Sequence, residues 1–300
     1  MAAQEGRRGA VGLGLTIRAG KIGDGAMKRS MTAVALVIVA ALSGAVQAQP
    51  FSYGDYADAL KTYVNDNGMV NYALLKSHGE KLDSFLNSLA GLNRSAYDGW
   101  TEPAKIAFWL NAYNACTLKA IITHYPIRSS FLTSIRFPKN SIRQISGAWD
   151  ELEFSVMGRP MTLDGIEHGV LRKEFHEPRI HMALVCAAMG CPPLRNEPYT
   201  GDRLGDQLDD QARRFLSNPA KFRIAADGGT VYLSPIFKWF GEDFVARYGV
   251  EQGYGGHSAV QRATLHFISG YLDKEDAGRV SSGDYSISYL DYDWSLNEQK

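Results

Sequence analysis

The chain has 300 residues, of which 45% are hydrophobic, 11% are aromatic and 21% are charged. This apolar content excludes a disordered or low-complexity protein, because such chains contain too few residues that can form a core. The 32 lysine and arginine residues balance the 32 aspartate and glutamate residues. A nucleic-acid binder usually carries a strong basic excess, and we therefore predict no nucleic-acid partner.

The beginning of the chain has the features of a targeting segment. Met27 is followed by two basic residues, the run from 32 to 42 is almost entirely apolar, and the small residues Val46 and Ala48 precede a possible cleavage site. This order of basic, apolar and small residues is typical of a secretory signal peptide. We predict a signal peptide at 27–48, with an uncleaved membrane anchor as the alternative.

The residues before and after this segment are predicted to differ in kind. Residues 1–26 are glycine-rich and lack apolar periodicity, which indicates an extension upstream of the true start codon. After residue 42 no run is apolar over the length of about 20 residues that a bilayer requires. The predicted product is a periplasmic or secreted chain with one globular domain at 49–300 and no membrane span once the signal is cleaved.

Apolar periodicity predicts three helices and a hairpin in the first half of this domain. Hydrophobic residues recur at helical spacing over 55–64 and 78–90. The longest candidate covers 102–124, with Thr101 as its N-cap and a proline in its first turn. Alternating apolar residues over 152–163, interrupted by a Gly-Arg turn, predict a β-hairpin.

The following segment carries several polar residues of interest. Residues 164–167 have the form of a capping box, which predicts a helix with His168 in its first turn and Arg172 one turn later. The apolar run from 180 to 186 predicts a short buried strand. On a regular strand, the residue at 181 would face away from Cys186.

The C-terminal part is predicted to contain helices and short strands. A helix at 205–216 precedes a hairpin at 222–233 with an Asp-Gly-Gly turn. Helices from Pro235 to 248 and over 258–272 follow, and alternation over 285–289 indicates a last strand. Because strands do not alternate regularly with helices, the predicted class is α+β: a mainly helical single domain with short antiparallel strands and hairpins.

Three sequence segments resemble one protein family. They are Phe108 to Ala115 (FWLNAYNA), Ile166 to Pro192 with its IEHGVLR and PRIHMAL motifs, and Tyr292 to Asn297 (YDWSLN). This set resembles the domain-of-unknown-function 547 family, which occurs in exported bacterial proteins and, joined to other modules, in plants. The resemblance covers nearly all of residues 55–297. It implies little about chemistry, so the function has to be inferred from the residues themselves.

Two of the three cysteines are candidates for a site. Cys116 lies among apolar residues of the long predicted helix and is interpreted as a buried hydrophobic residue. Cys186 and Cys191 are close in sequence, and in an oxidising compartment they could form a structural disulfide. Closing so small a ring would stabilise the fold by about 2 kcal/mol at most.

The alternative to this disulfide is that Cys186 is a nucleophile. A thiol needs a nearby imidazole or helix N-terminus to ionise at neutral pH. His168 is the predicted base, because His181 would face the other side of the strand. Asn111 is predicted to orient the imidazole through its side-chain oxygen, a role that Asn114 could also fill.

Asn114, Arg172 and His181 are predicted to bind substrate. Arg172 could hold a substrate carboxylate through two hydrogen bonds, or pair with an acid such as Glu102. The buried asparagines could instead cap backbone groups of a loop. The C-terminal aromatic cluster around Tyr292 is interpreted as core rather than as a carbohydrate platform.

A zinc site fits the sequence only marginally. His176, His181, Cys186 and Cys191 are evenly spaced, whereas structural zinc sites pair close ligands. The predicted strand would also separate His181 from Cys186 across its two faces. We therefore predict no metal and no cofactor.

Two functional hypotheses result. In the first, the protein is a hydrolase or acyltransferase, papain-like or transglutaminase-like, in which Cys186 attacks an amide or ester carbonyl, His168 transfers the proton and backbone N–H groups near Ala187 stabilise the oxyanion. A peptide-like substrate would suit an exported enzyme. In the second, the domain is non-catalytic, Cys186 and Cys191 form a disulfide, and the polar groups bind a small molecule or a partner.

Overall fold

The computed structural model describes residues 51–300. The predicted extension at 1–26 and the predicted signal peptide at 27–48 lie outside the described residues. Within residues 51–300 helices dominate, and the strands form a two-stranded and a three-stranded sheet. This confirms the predicted mainly helical α+β class.

One long helix organises the N-terminal part of the fold. The helices here are α1 (Gly54–Tyr63), α2 (Tyr72–Ser77), α3 (Glu80–Gly91), α4 (Arg94–Asp98) and α5 (Glu102–His124). The helices predicted over 55–64, 78–90 and 102–124 are confirmed, and the Thr101 hydroxyl caps α5 by accepting from the Ala104 N–H at 3.4 Å. Of the helices in residues 51–300, none is long and apolar enough to cross a membrane.

The segment after α5 contains short elements. They are α6 (Phe131–Ser134), a 3₁₀ turn at Ile142–Gln144, and the strands β1 (Phe154–Val156) and β2 (Arg159–Met161). The two strands pair antiparallel and confirm the predicted hairpin. Met157 and Gly158 form its turn with φ angles of 50° and 70°, a region that glycine adopts without steric cost.

The helix after the hairpin begins earlier than its sequence predicts. It consists of α7 (Leu163–Ile166), a π-helical turn (Glu167–Leu171) and α8 (Arg172–Glu174). The cap is the Thr162 hydroxyl, which accepts from the Gly165 N–H at 3.0 Å, and not the predicted box at 164–167. His168 therefore lies beyond the first turn of the helix, whereas the sequence predicts it within that turn.

The prediction of a strand over 180–186 is wrong. Pro178–Met182 is a 3₁₀ helix, and the chain then continues without regular structure to Cys186. Pro178 occupies the first turn, and the Glu177 carboxylate caps it by accepting from the Arg179 N–H at 3.1 Å. The apolar run is buried as expected, but a short apolar run does not distinguish a strand from a helical turn.

The C-terminal part forms a second hydrophobic cluster. Its elements are α9 (Leu204–Leu216), β3 (Phe222–Ile224), β4 (Thr230–Leu233), α10 (Ile236–Trp239), α11 (Gly241–Tyr248), α12 (Ala259–Ser269), α13 (Lys274–Ser282) and β5 (Ser286–Tyr289). The predicted hairpin is confirmed as β3 and β4, and β5 adds to β4 in parallel. The helix predicted from Pro235 to 248 is interrupted at Phe240. Tyr292 packs against both hydrophobic clusters.

Asn111 is a polar contact between α5 and the segment before α9. Its amide nitrogen donates to the carbonyl of Tyr199 at 2.8 Å, and its amide oxygen accepts from the Tyr199 N–H at 2.9 Å. We expect Asn111→Ala to lower the free energy of unfolding by about 2–4 kcal/mol, because two buried backbone groups lose their partners. Urea denaturation measures this loss.

The matched control is Asn87→Ala, at an exposed position of α3. It should change the free energy of unfolding by less than about 0.5 kcal/mol. Equal effects of the two substitutions would show that the buried amide contributes nothing to the fold.

Candidate functional site

A cavity of about 400 Å³ contains most of the titratable residues that the sequence singles out. Glu167 and His168 reach it from the π-helical turn, His181 from the 3₁₀ helix, and Cys186 and Cys191 from the irregular segment that follows. The structure thus brings the predicted nucleophile and the predicted base to one cavity. Asn111 and Asn114 do not line it.

Asn114 fixes the start of the segment that carries the cysteines. Its amide nitrogen donates to the Ala183 carbonyl at 3.0 Å, and its amide oxygen accepts from the Val185 N–H at 2.9 Å. Asn114 is buried, so these bonds satisfy backbone groups that water does not reach. This is the capping role that the sequence left open for the two asparagines.

The C-terminal segment holds the other end of the cysteine loop, residues 186–191. The N–H groups of Met189 and Gly190 donate to the carbonyls of Ser295 and Asp293, both at 2.7 Å, and Asn297 donates to Ala187 at 3.1 Å. These bonds form a short antiparallel pairing across the loop. Its conformation is thereby set by backbone contacts on both sides.

Two positions in this loop carry backbone constraints. Ala187 has a φ of 59°, which is uncommon for a residue with a side chain. A Cβ atom at Gly190 would lie 2.6 Å from the ring of Tyr292. Glycine therefore allows the Tyr292 ring to lie directly against the loop.

Cys186 and Cys191 are both free thiols, and the same hydroxyl contacts both. The Tyr292 hydroxyl lies 3.1 Å from the Cys191 sulfur and 3.4 Å from the Cys186 sulfur. The backbone N–H of Cys186 donates to the Cys191 sulfur at 3.0 Å. The disulfide considered as an alternative is not formed in this structure.

These contacts favour a negative charge on Cys191. Burial disfavours the thiolate, but hydrogen bonds from the Cys186 thiol, the Tyr292 hydroxyl and backbone N–H groups lower the pKa of Cys191 to about 7. The hydrogen bond to Cys191, together with burial, raises the pKa of Cys186. The pair therefore loses one proton near neutrality and retains the other.

Glu167 is a second unusual acid at the cavity. Its side chain is buried, and burial raises its pKa to about 7 although the neighbouring Tyr113 hydroxyl lowers it. At neutral pH this carboxyl is partly protonated, which is the state that a general acid requires.

His181 belongs to an ion-pair network beside the cavity. Its Nε2 lies 2.7 Å from Asp243 Oδ2, and Arg172 binds both oxygens of Asp243 at 2.6 and 2.9 Å. Burial lowers the pKa of His181. Hydrogen bonds from His181 and Arg172 outweigh the effect of burial on Asp243 and hold the pKa of its carboxyl well below the usual range.

His168 faces this network rather than the sulfurs. Its Nδ1 lies 2.8 Å from the Arg172 guanidinium, and its Nε2 lies 3.8 Å from Asp164. Within residues 51–300 neither His168 nor His181 forms a hydrogen bond with a cysteine sulfur. The role of His168 as a base therefore stays a prediction. The substrate-binding roles of Arg172 and His181 also stay predictions.

The marginal zinc set at His176, His181, Cys186 and Cys191 does not form a cluster. No group of three or more His, Cys, Asp or Glu side chains in the described part of the chain is arranged to hold a metal ion.

Aromatic side chains form another wall of the cavity. The ring of Tyr292 lies 4.9 Å from Trp239 and 4.6 Å from Trp294. The Arg143 guanidinium lies over Trp149 and Trp294, at 5.4 and 5.2 Å from their centres. The C-terminal aromatic cluster, interpreted from sequence as core, is therefore partly buried and lines the cavity.

Sequence reasoning missed the acid and the charged sulfur of this site. Glu167 is not among the site residues predicted from the sequence, yet Leu163, Glu167 and Leu171 follow one another at helical spacing and all three are buried. A carboxylate within the apolar stripe of a helix is a sequence pattern that indicates a buried acid with an altered pKa. The contacts of Tyr113 and Tyr292 depend on tertiary packing and had no sequence signal.

The fold and this cavity define a mainly helical α+β domain with a pair of neighbouring thiols in its cavity. Residues 97–216 match the model of the family described as "Protein of unknown function, DUF547", which supports the family resemblance of the motifs. No curated protein and no solved structure matches the chain significantly.

We expect the thiol pair to react with iodoacetamide with an apparent pKa of about 7. Below this pH both sulfurs are protonated and react slowly, whereas above it one thiolate is present. Tyr292→Phe removes a donor to the thiolate and should raise the apparent pKa by about one pH unit. The rate of alkylation as a function of pH measures both effects.

Tyr232→Phe is the control, since this tyrosine does not line the cavity. It should leave the profile unchanged. An apparent pKa at the ordinary cysteine value in the wild-type protein, or no reaction before addition of a reductant, would contradict this description of the pair.

Proposed function

We propose that the protein is a thiol-dependent hydrolase or acyltransferase that acts on amide or ester bonds in this cavity. The observation that carries the proposal is the set of hydrogen bonds to the Cys191 sulfur, which favours a thiolate near neutral pH. A thiolate in a cavity is a strong nucleophile. Compared with the sequence-based hypothesis, the negative charge is assigned to Cys191, and Cys186 is the thiol that stabilises it.

The reaction uses two groups of the chain. The Cys191 thiolate attacks the carbonyl carbon, a carbon–sulfur bond forms, and the bond to the amine or alcohol breaks as Glu167 gives its proton to the leaving group. Water then attacks the thioester, the Glu167 carboxylate takes up a proton from that water, and the thiolate is released.

The predicted oxyanion group is also supported by the loop. Within residues 51–300 the backbone N–H of Ala187 makes no hydrogen bond to another backbone group. Held in a fixed loop, such an N–H can stabilise a developing negative charge without reorganisation.

The walls favour a peptide-like or small aromatic ligand. Trp239 and Trp294 offer flat apolar surfaces, and Arg143 adds a positive charge beside them. A ligand that combines an apolar group with a carboxylate would be complementary to this wall. The leader predicted at 27–48 supports a periplasmic or secreted location for such an enzyme.

A non-catalytic ligand-binding function is the second candidate. It is favoured by one observation: Asp243 and Arg172 engage the two imidazoles of the cavity, so neither is free to serve the sulfurs as a base. In this case the same walls would bind a ligand without cleaving it.

The test is ester cleavage by the purified protein with p-nitrophenyl acetate as the probe. Cys191→Ser should lower the rate by about 10³-fold, because serine lacks the thiolate. Glu167→Gln should slow hydrolysis of the acylated protein. It should also remove the dependence of this hydrolysis rate on the ionisation of an acid with a pKa of about 7. Cys116→Ala, at a buried position of α5 outside the cavity, should retain activity.

Circular dichroism establishes that each variant is folded. A folded Cys191→Ser variant with the wild-type rate would contradict the enzymatic proposal. Ligand binding that survives in this variant without turnover would favour the second candidate.

A further inference from the structure

The segment from Arg128 to Lys139 exposes a cluster of large apolar side chains. The exposed fractions are 83% for Phe131, 78% for Leu132 and 74% for Ile135. Phe131 and Leu132 lie in α6, and Ile135 is its C-cap. Ile135 follows them at spacings of four and three residues, which place side chains next to one another on a helix. Clustered exposure of this kind marks an interaction site, whereas scattered apolar residues do not.

Basic residues flank this apolar cluster in the sequence. Arg128, Arg136 and Lys139 are exposed, and none forms an ion pair with another described residue. No aspartate or glutamate occurs between residues 126 and 149. One acid is bonded at the base of the segment, where Glu298 accepts from the Asn140 amide at 2.8 Å.

The segment is fixed where it joins the body of the protein. The Gln144 amide donates to the carbonyls of Phe137 and Pro138 at 3.3 and 3.0 Å. The Leu296 N–H donates to the Asn140 carbonyl at 3.0 Å. The apolar side chains therefore project from an anchored base and do not fold back into the core.

We propose that this segment docks on a membrane surface that contains anionic lipids. Phe131, Leu132 and Ile135 would enter the interface, while the surrounding arginine and lysine side chains contact lipid phosphates. Apolar residues at the tip with cations around them are the pattern of proteins that lie on a bilayer.

Docking would bring the cavity close to the bilayer. Phe137, at the end of the segment, packs edge-on against Trp294, with ring centres 6.1 Å apart. Arg143 contacts both Phe137 and Trp294. The docking segment thus adjoins the aromatic wall, and this inference does not depend on the reaction proposed for the thiols.

The test is co-sedimentation of the full chain with phosphatidylcholine vesicles, with and without phosphatidylglycerol. We expect binding only to the anionic vesicles, weakened by salt. Changing Phe131, Leu132 and Ile135 together to serine should weaken binding by about tenfold or more, since the apolar contribution is lost. Changing Arg136 and Lys139 to glutamine should weaken it and reduce its dependence on salt.

The matched control is Leu74→Ser, at another exposed apolar position. It should bind as the wild type does. No binding of the wild type to anionic vesicles would overturn the proposal, as would a triple serine variant that binds equally well. Self-association of the wild type that the triple variant loses, without vesicle binding, would assign the surface to a second copy and also overturn it.

Discussion

The backbone hydrogen bonds between residues 187–190 and 293–297 determine the arrangement of the candidate site. They join a loop from the middle of the chain to its last residues, while Asn114 fixes the start of the same loop from inside α5. Because both sides of the loop are bonded, the two sulfurs and the Tyr292 hydroxyl are held within contact of one another. Their chemistry thus depends on packing that involves distant parts of the sequence.

This arrangement explains how an acidic thiol can exist without an imidazole beside it. Hydrogen bonds from a neighbouring thiol, a phenol and backbone N–H groups offset the cost of burying a charge. The histidines instead join Arg172 and Asp243 in a network that borders the cavity. That network links α8 to α11 and so shapes one wall of the cavity.

The sequence predicted the regular elements better than the site. Thr101 and the apolar periodicity defined α5, because capping and burial are local properties of a long helix. The prediction for 180–186 failed because a short apolar run fits a buried 3₁₀ turn as well as a strand. Cys186 and His168 both line one cavity, but the partners of their side chains depend on tertiary contacts of Tyr292, Arg172 and Asp243 that no local pattern encodes.

Hydrogen–deuterium exchange at the amides of Met189, Gly190 and Asn297 tests most directly whether the site is already formed in the free protein. The N–H groups of Met189, Gly190 and Asn297 are bonded to buried or paired carbonyls, so their exchange should be as slow as that of amides in α5. Exchange as rapid as in the exposed turn at 227–229 would mean that the loop opens freely. The sulfurs would then have no fixed geometry, which contradicts the account given above.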